Sequence, residues 1–145
     1  MDEDGPPERF CTAACVVWQP RRPDRIAHAS AGHPDVVLVR TDGRIDRLGS
    51  GGLPLGMFAE LGIRSSGAVV APGDLMVLFT DGVTEARDRA GHLFGDEGVN
   101  DALSDCAGRP PDETAETLLA AVERHSVGRL GDDLALLVVG WQPTV

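Results

Sequence analysis

Tight turns between short apolar runs constrain the fold of this chain more than any other feature of its sequence. The Asp42–Gly43 dipeptide and the Pro72–Asp74 segment each separate two such runs. Asp-Gly between apolar runs is a strong hairpin signal, and Pro-Gly is typical of a tight turn. The runs with strand-like composition are Cys11–Gln19, Arg25–Ala31, Val36–Arg40, Arg44–Leu48, Ile63–Ala71 and Leu75–Thr80. The pattern therefore predicts a meander of antiparallel strands up to Asp81.

The periodicity of the sequence changes after this point. Val83–Asp88 indicates a short helical or irregular piece, Gly95–Cys106 has helical spacing, and Pro111–Val127 is the clearest helix. Leu134–Trp141 is a continuous apolar run, which predicts a strand covered on both faces. Strands followed by helices and then one buried strand predict an α+β fold.

The length and composition suit one domain. The chain has 145 residues, of which 42% are apolar and 25% are charged, so it can bury a real core. Residues 1–9 are polar and contain paired prolines; they are predicted to be a disordered leader, followed by one domain over residues 10–145. No apolar run is long enough to cross a bilayer and no signal-peptide pattern opens the chain, so a cytoplasmic protein is predicted.

The charge balance excludes some classes of partner. The formal net charge is −10, and all 13 basic residues are arginine. Such an acidic surface repels phosphate backbones and anionic lipids, so neither nucleic acid nor membrane is expected as a partner. The three cysteines, Cys11, Cys15 and Cys106, lack zinc-like pairing with histidine and are predicted to be reduced and mostly buried.

Carboxylates stand at the ends of two predicted strands. Asp81 follows the run that begins at Leu75, and Gly82 allows the backbone to turn away sharply. Asp132 and Asp133 immediately precede the last apolar run. If these two strands are antiparallel neighbours, the carboxylates converge and suit a hard cation such as Mg²⁺ or Mn²⁺. The alternative is structural: Asp81 caps a turn, and the Asp132–Asp133 pair lies on a solvated loop.

Seven segments in order carry a family resemblance. They are Phe10–Ala13 (FCTA), Ala31–Pro34 (AGHP), Leu53–Gly56 (LPLG), Pro72–Asp74 (PGD), Thr80–Arg87 (TDGVTEAR), Phe94–Gly95 and Asp132–Asp133. This set resembles the SpoIIE-type branch of the metal-dependent (2C-type, PPM) serine/threonine protein phosphatases, from about Phe10 to Val139. Any one segment is weak evidence, and their order and spacing are what make the resemblance specific.

The resemblance implies a fold and a metal site. The expected fold is an α-β-β-α sandwich of two antiparallel sheets flanked by helices, incomplete at its N-terminus. A two-metal site would hold Mg²⁺ or Mn²⁺, with Asp81 and Asp132 as metal ligands and no further catalytic side chain. Asp133 and Gly82 would orient a ligand or act as ligands themselves, and Arg87 is a candidate phosphate contact. The resemblance also implies in-line attack on phosphorus by a metal-activated water.

The resemblance also implies an activity and a substrate class. Relatives dephosphorylate phosphoserine or phosphothreonine in proteins, commonly an anti-sigma-factor antagonist of a bacterial partner-switching pathway. They carry upstream Gly-Gly-Asp and Gly-Asp-Val-x-Gly-His-Gly segments that residues 1–9 do not match. The isolated chain is therefore expected to have little or no activity, and its bare sheet edges are expected to favour homo-oligomers. The alternative is a catalytically inactive, phosphatase-like module that binds a partner.

Other polar residues have structural explanations. His33 is predicted to tie the turn between Gly32 and Pro34 to a neighbouring backbone group. Glu85 is expected to form an ion pair at the end of the short helix, while Arg87 is left open because guanidinium suits phosphate geometry.

Overall fold

The computed structural model describes residues 9–49, 51–131 and 133–142. Its elements are β1 (Ala13–Gln19), β2 (Arg22–Ala31), β3 (Val36–Val39), β4 (Ile45–Leu48), β5 (Ser66–Val69), β6 (Leu75–Phe79), α1 (Asp81–Thr84), α2 (Gly95–Leu103), α3 (Pro111–Ser126) and β7 (Leu136–Gly140). The predicted order of strands, helices and a final strand is confirmed, with element ends shifted by a few residues. Residues 1–8 of the predicted leader lie outside the described ranges, so that boundary stays a prediction.

The strands form two antiparallel sheets, of order β1-β2-β5 and β4-β3-β6-β7. The predicted hairpin between β3 and β4 is confirmed: Gly43 has a φ of +87°, and the Asp42 Oδ1 accepts a hydrogen bond of 3.0 Å from the Arg44 backbone N–H. The prediction of a single meander is wrong, because β5 pairs with β2 in the other sheet. Turn residues indicate which strands follow each other in a hairpin. They do not indicate that a second sheet must cover the other face of β3, and β5 belongs to that second sheet.

Alternate residues of the central strands face two different cores. Val37 and Val39 of β3 pack towards the helices, whereas Val36 and Leu38 pack towards the three-stranded sheet. All four side chains are buried, since none is more than 2% exposed. Each such aliphatic side chain stabilises the fold by about 1.5–3 kcal/mol when it is fully buried. This burial confirms the predicted α+β sandwich of antiparallel sheets.

The helices cover the outer face of the four-stranded sheet. Val99 and Leu103 of α2, and Leu118 and Val122 of α3, are fully buried, as their helical spacing predicts. Pro111 occupies the first turn of α3, where its missing N–H leaves no intrahelical bond unmade. Across the described part of the chain, no helix combines the length and apolarity needed to cross a membrane.

Two predictions about burial are wrong. β7 is an edge strand, and Leu137 is 56% exposed, so the continuous apolar run does not correspond to a strand covered on both faces. Of the three free cysteines, Cys106 is buried, while Cys11 and Cys15 are exposed. Leu137 belongs to the edge strand β7 and Cys15 to the edge strand β1, whereas Cys11 precedes β1. In the three-stranded sheet, Val17 and Val69 are also exposed.

The Pro72–Asp74 turn is held by a buried carboxylate. Asp74 is 2% exposed, and its Oδ2 lies 2.8 Å from the Arg40 guanidinium and accepts a 3.0 Å hydrogen bond from the Ala71 N–H. Its Oδ1 accepts a hydrogen bond from the Thr41 N–H. Burial lowers the pKa of Arg40, but its hydrogen bonds to Asp74 and Asp46 outweigh that effect and leave this pKa above its ordinary value. The turn therefore fixes the start of β6 through a satisfied ion pair.

Candidate functional site

Strand β6 delivers Asp81 to the same end of the sheet as the start of β7. The two strands are antiparallel, with Phe79 opposite Leu136. Beyond this pair, the Thr80 N–H donates to the Ala135 carbonyl over 3.0 Å, and the Thr80 hydroxyl accepts from the Ala135 N–H over 2.9 Å. The predicted antiparallel adjacency of the two strands is confirmed.

Gly82 permits the close approach of the two chain segments. A Cβ at this position would lie 2.4 Å from the backbone oxygen of Asp133, well inside van der Waals contact. Gly82 is buried inside α1 and has no left-handed φ, so the expected role in a sharp change of direction is wrong. The glycine is required because the Asp133 backbone occupies the space of a side chain.

Asp81 is the first residue of α1, and its side chain is exposed. Its backbone oxygen accepts from the Glu85 N–H over 2.8 Å and from the Thr84 hydroxyl over 3.2 Å. Among residues 9–49, 51–131 and 133–142, the Asp81 carboxylate has neither an ion pair nor a side-chain hydrogen bond. The backbone is therefore fixed while the carboxylate is available to a ligand.

The other predicted site residues are Asp132, Asp133 and Arg87. Asp132 lies outside the described residues. Asp133 is exposed, and its backbone oxygen accepts a 3.4 Å hydrogen bond from the Thr80 hydroxyl. Arg87 is exposed and donates to the Gly91 carbonyl over 2.8 Å. The structure thus brings Asp81, Gly82 and the Asp133 backbone together at one end of the sheet.

An acidic cleft opens on one side of α1. It has a volume of about 540 Å³ and is lined by Gly32, His33, Pro34, Asp35, Asp81, Thr84, Glu85, Leu93, Gly95 and Asp96. The sequence analysis did not identify Asp35 or Asp96. Asp35 directly precedes the predicted strand that begins at Val36, which is a signal of the kind that identified Asp133, whereas Asp96 stands at the start of a predicted helix. Asp96 is held by Arg47 of β4, whose guanidinium donates to its carboxylate over 3.0 Å. This ion pair fixes the start of α2 beside the cleft.

The expected structural role of His33 needs a correction of detail. The Ser30 hydroxyl donates to the His33 carbonyl over 3.1 Å and accepts from the His33 N–H over 3.2 Å, so Ser30 ties the backbone of the turn. The ring Nδ1 lies 3.3 Å from the Thr12 hydroxyl. The imidazole therefore contacts a side chain, and the backbone bonds expected of it are made by a serine.

A second, smaller cleft opens on the other side of α1. Its volume is about 240 Å³, and its lining consists of Gly82, Glu85, Ala86, Arg87, Arg129 and Gly131. The ion pair predicted for Glu85 is absent from the described part of the chain. Sequence reasoning also missed Arg129; its position between α3 and the Asp132–Asp133 pair is the signal that identifies it.

The loop after α1 is organised by Asp88. Its Oδ1 accepts hydrogen bonds from the Ala90 N–H over 2.8 Å and the His92 N–H over 2.9 Å, and its Oδ2 lies 3.1 Å from the His92 ring. These hydrogen bonds, above all that from the His92 backbone, lower the pKa of Asp88 below its ordinary value. The loop fixes the position of the Gly91 carbonyl, which accepts a hydrogen bond from the Arg87 guanidinium.

The chemistry of the donors fits a hard divalent cation. Asp81 supplies an exposed carboxylate without a side-chain partner in the described ranges, and the Asp133 segment lies directly against Gly82. Oxygen donors of this kind suit Mg²⁺ and Mn²⁺. However, no group of three or more His, Cys, Asp or Glu side chains suited to a metal forms among the described residues. The described residues thus fit part of a metal site.

The sandwich defines a class of protein. The SiaA-PP2C domain of Pseudomonas aeruginosa is 26% identical, with a TM-score of 0.76 over 90% of this chain and 52% of that one. The phosphatase domain of Bacillus subtilis SpoIIE, from an Mn-presoaked structure, is 16% identical, with a TM-score of 0.75 over 92% and 58%. The structure of the RsbU and RsbW domains of Rv1364c from Mycobacterium tuberculosis is 28% identical, with a TM-score of 0.67 over 84% and 34%. The fold is therefore that of a PP2C-type phosphatase domain, a class that is metal-dependent.

The family follows from the sequence match. Residues 1–142 match the Stage II sporulation protein E (SpoIIE) family, and the chain belongs to it. Protein IcfG of Synechocystis is 25% identical over an alignment of 120 residues, and the match covers 79% of this chain and 18% of that protein. The chain spans less than two thirds of the length of IcfG and of the solved domains above. The resemblance predicted from the seven segments is confirmed.

Proposed function

We propose that this chain serves in a metal-dependent hydrolase that removes phosphate from phosphoserine or phosphothreonine in a protein. The observation that carries the proposal is the pairing of β6 with β7, which brings the exposed Asp81 to the end of the sheet where residues 133–135 lie. A carboxylate that is fixed by its backbone and unpaired among the described side chains is suited to a cation. Membership of the SpoIIE family supports the same activity.

The proposed metal ligands are Asp81 and Asp132, with Mg²⁺ or Mn²⁺ as the ion. Asp133 and Gly82 are proposed to orient a ligand or to act as ligands themselves. When bound, such an ion neutralises charge on the phosphate oxygens and lowers the pKa of water for in-line attack. Within the chain, Thr80 and Gly82 set the spacing between the Asp81 and Asp133 segments, and Arg87 is proposed to contact the phosphate.

A phosphorylated anti-sigma-factor antagonist is the proposed substrate. The M. tuberculosis relative combines RsbU and RsbW domains in one structure, which supports a regulatory phosphoprotein as the partner. The net charge of −10 supports a protein over a nucleic acid or an anionic membrane. The cytoplasmic location and the homo-oligomer stay predictions.

The alternative, an inactive partner-binding module, has one specific observation in its favour. The described residues do not assemble three metal-binding side chains, so those residues by themselves fall short of a complete site. Little or no turnover of p-nitrophenyl phosphate is therefore expected from residues 1–145, even with millimolar Mn²⁺. Robust turnover that is abolished in Asp81→Ala would contradict this expectation and remove the case for the inactive module.

Paramagnetic broadening by Mn²⁺ tests the metal site directly, even when binding is weak. We expect Mn²⁺ to broaden the backbone amide signals of residues 80–82 and 133–135 first, and we expect Asp81→Asn to reduce the effect at least tenfold. Removing one charged ligand weakens the electrostatic attraction and removes a coordinating oxygen.

The matched control is Asp101→Asn, which makes the same chemical change on an exposed residue of α2. It should leave the broadening pattern unchanged. Broadening that is centred elsewhere, or that is equally strong in Asp81→Asn, would end the metal-site proposal. Comparison of Asp132→Asn with Asp133→Asn in the same titration would separate the proposed ligand from its neighbour.

A further inference from the structure

The two clefts beside α1 differ in charge although they share a wall. Glu85 lines both clefts. The larger cleft contains three further carboxylates, those of Asp35, Asp81 and Asp96, whereas the smaller one contains two guanidinium groups. One cleft beside this single helical turn is therefore rich in acidic residues, and the other contains two arginines.

Arg87 and Arg129 come from separate segments that reach the same small cleft. Arg87 is anchored, because it donates to the Gly91 carbonyl over 2.8 Å and its backbone forms a bridge with Leu93. Arg129 lies in the loop that follows α3, and its N–H donates to the Ser126 carbonyl over 3.0 Å. Within the described ranges, the guanidinium of Arg129 makes no ion pair or hydrogen bond with another residue.

This pair of arginines stands out because the rest of the chain is strongly acidic. A chain with a net charge of −10 repels an anionic substrate over most of its surface. Two arginines against one glutamate line the smaller cleft, so its local charge is more favourable to an anion, and the planar donors of arginine match phosphate oxygens in bidentate fashion. A volume of about 240 Å³ accommodates a phosphate group together with bridging water.

We propose that Arg87 and Arg129 together form an anion subsite that binds the phosphate group of a phosphomonoester substrate. The proposal rests on the proposed phosphatase function and adds Arg129 as a residue that positions the substrate. Gly82 and Gly131 line the same cleft, and Gly82 directly follows the proposed ligand Asp81 in the sequence. Arg129 binds the phosphate without taking part in bond cleavage.

Titration with inorganic phosphate tests the subsite without metal and without turnover. The chain of residues 1–145 is kept in a chelator at constant ionic strength, and binding is followed by the amide signals of Gly82, Arg87 and Gly131. We expect saturable shifts in the wild-type chain. We expect at least tenfold weaker binding in Arg129→Gln, because a charged hydrogen-bond donor is lost. Arg129→Lys should bind phosphate with intermediate affinity, since lysine keeps the charge but cannot form the bidentate hydrogen bonds of a guanidinium group.

The control is Arg124→Gln, which removes the same charge from an exposed position on α3 and should bind phosphate as the wild type does. Circular dichroism confirms that each variant is folded, and Arg129→Lys provides a second variant if Arg129→Gln is unstable. Absence of phosphate binding by the wild type, or equal binding by Arg129→Gln and the wild type, overturns the subsite.

Asp81→Asn separates this proposal from the metal site. It should abolish the Mn²⁺ effect and strengthen metal-free phosphate binding by no more than about twofold, because a neutral side chain repels the anion less. If Mn²⁺ fails to bind near Asp81 while phosphate binding still depends on Arg129, only the metal proposal fails. Loss of phosphate binding in Asp81→Asn, with the fold intact, counts against a separate subsite.

Discussion

The two ends of strand β6 each carry an aspartate, and the two carboxylates have opposite environments. At the start, Asp74 is 2% exposed and is bonded to Arg40 and to the backbone N–H groups of Ala71 and Thr41. Beyond the other end, Asp81 is exposed and lacks a side-chain partner within the described residues. Both residues stand beside a glycine in the sequence, so local pattern does not distinguish them.

The difference between the two ends separates structure from function. A buried carboxylate whose oxygens are all engaged holds its turn in place and has nothing left for a ligand. An exposed carboxylate on a fixed backbone stabilises little and is available to a cation. The three predictions below test this contrast, beginning with the largest effect on stability.

Asp74→Ala should be the most destabilising of these changes. It removes the buried carboxylate that the Arg40 guanidinium shares with Asp46 and leaves two backbone N–H groups without their acceptor, so we expect a loss of about 3 kcal/mol in the free energy of unfolding. Asp81→Ala should change stability by less than about 0.5 kcal/mol, because its carboxylate is exposed. Urea denaturation of both variants measures the difference. Similar losses of stability in the two variants would contradict the distinction between a structural Asp74 and a functional Asp81.

Gly82→Ala should have an intermediate effect. The added methyl group would lie 2.4 Å from the Asp133 backbone oxygen, so the two segments must separate, at a cost of about 2 kcal/mol. We also expect weaker Mn²⁺ binding, since Asp81 would move away from the neighbouring segment.

Gly131→Ala is the matched control for that variant. Gly131 has a φ outside the left-handed region and open space around an added Cβ, so the same substitution should be nearly neutral. Thermal unfolding and the Mn²⁺ titration provide the two measurements. A neutral Gly82→Ala would show that the segments tolerate separation.

The smallest effect concerns two aspartates, the exposed Asp42 and the partly buried Asp88, that organise turns near the two ends of β6. Asp42 bonds to Arg44 in the β3–β4 turn, and Asp88 bonds to His92 in the loop after α1. Backbone hydrogen bonds from Arg44 and His92, respectively, are the main cause of the lowered pKa of each carboxyl. Since each folded-state pKa is lowered, each carboxyl stabilises the fold above its ordinary pKa. That stabilisation is lost as pH falls through the lowered value.

We therefore expect Asp42→Asn and Asp88→Asn each to lower Tm slightly at pH 7, and we expect the difference from the wild type to shrink as pH falls below the ordinary aspartate pKa of 3.8. Only Asp88→Asn should also weaken phosphate binding, because its loop carries the Gly91 carbonyl that anchors Arg87. A Tm difference that does not shrink at all as pH falls below that value would contradict the pKa assignment. An equal effect of both variants on phosphate binding would contradict the local role of Asp88.

Much of the fold could be predicted because its signals are local. The Asp42–Gly43 turn, the helical spacing of Leu118 and Val122, and the apolar run of β6 all reflect backbone geometry over a few residues. The assignment of β5 to the other sheet could not be predicted, because it depends on which layer covers β2 and β3. Leu137 was misplaced for a related reason, since strand composition does not show where a sheet ends.

The candidate site also has features that the sequence predicts and features that only the tertiary structure shows. The position of Asp81 after an apolar strand and its family motif are properties of the sequence. The acidic cleft with Asp35 and Asp96, and the pairing of Arg87 with Arg129, depend on segments far apart in the chain. No short-range pattern reports that kind of proximity.

By itself, the sequence determined the strands, the helices, the SpoIIE family and the identity of the acidic residues. Tertiary structure alone decided which aspartate is buried and paired and which is exposed. The physical reason is that a carboxylate's role depends on the donors and solvent around it, and those are supplied by residues such as Arg40 and Thr41, more than 30 positions before Asp74.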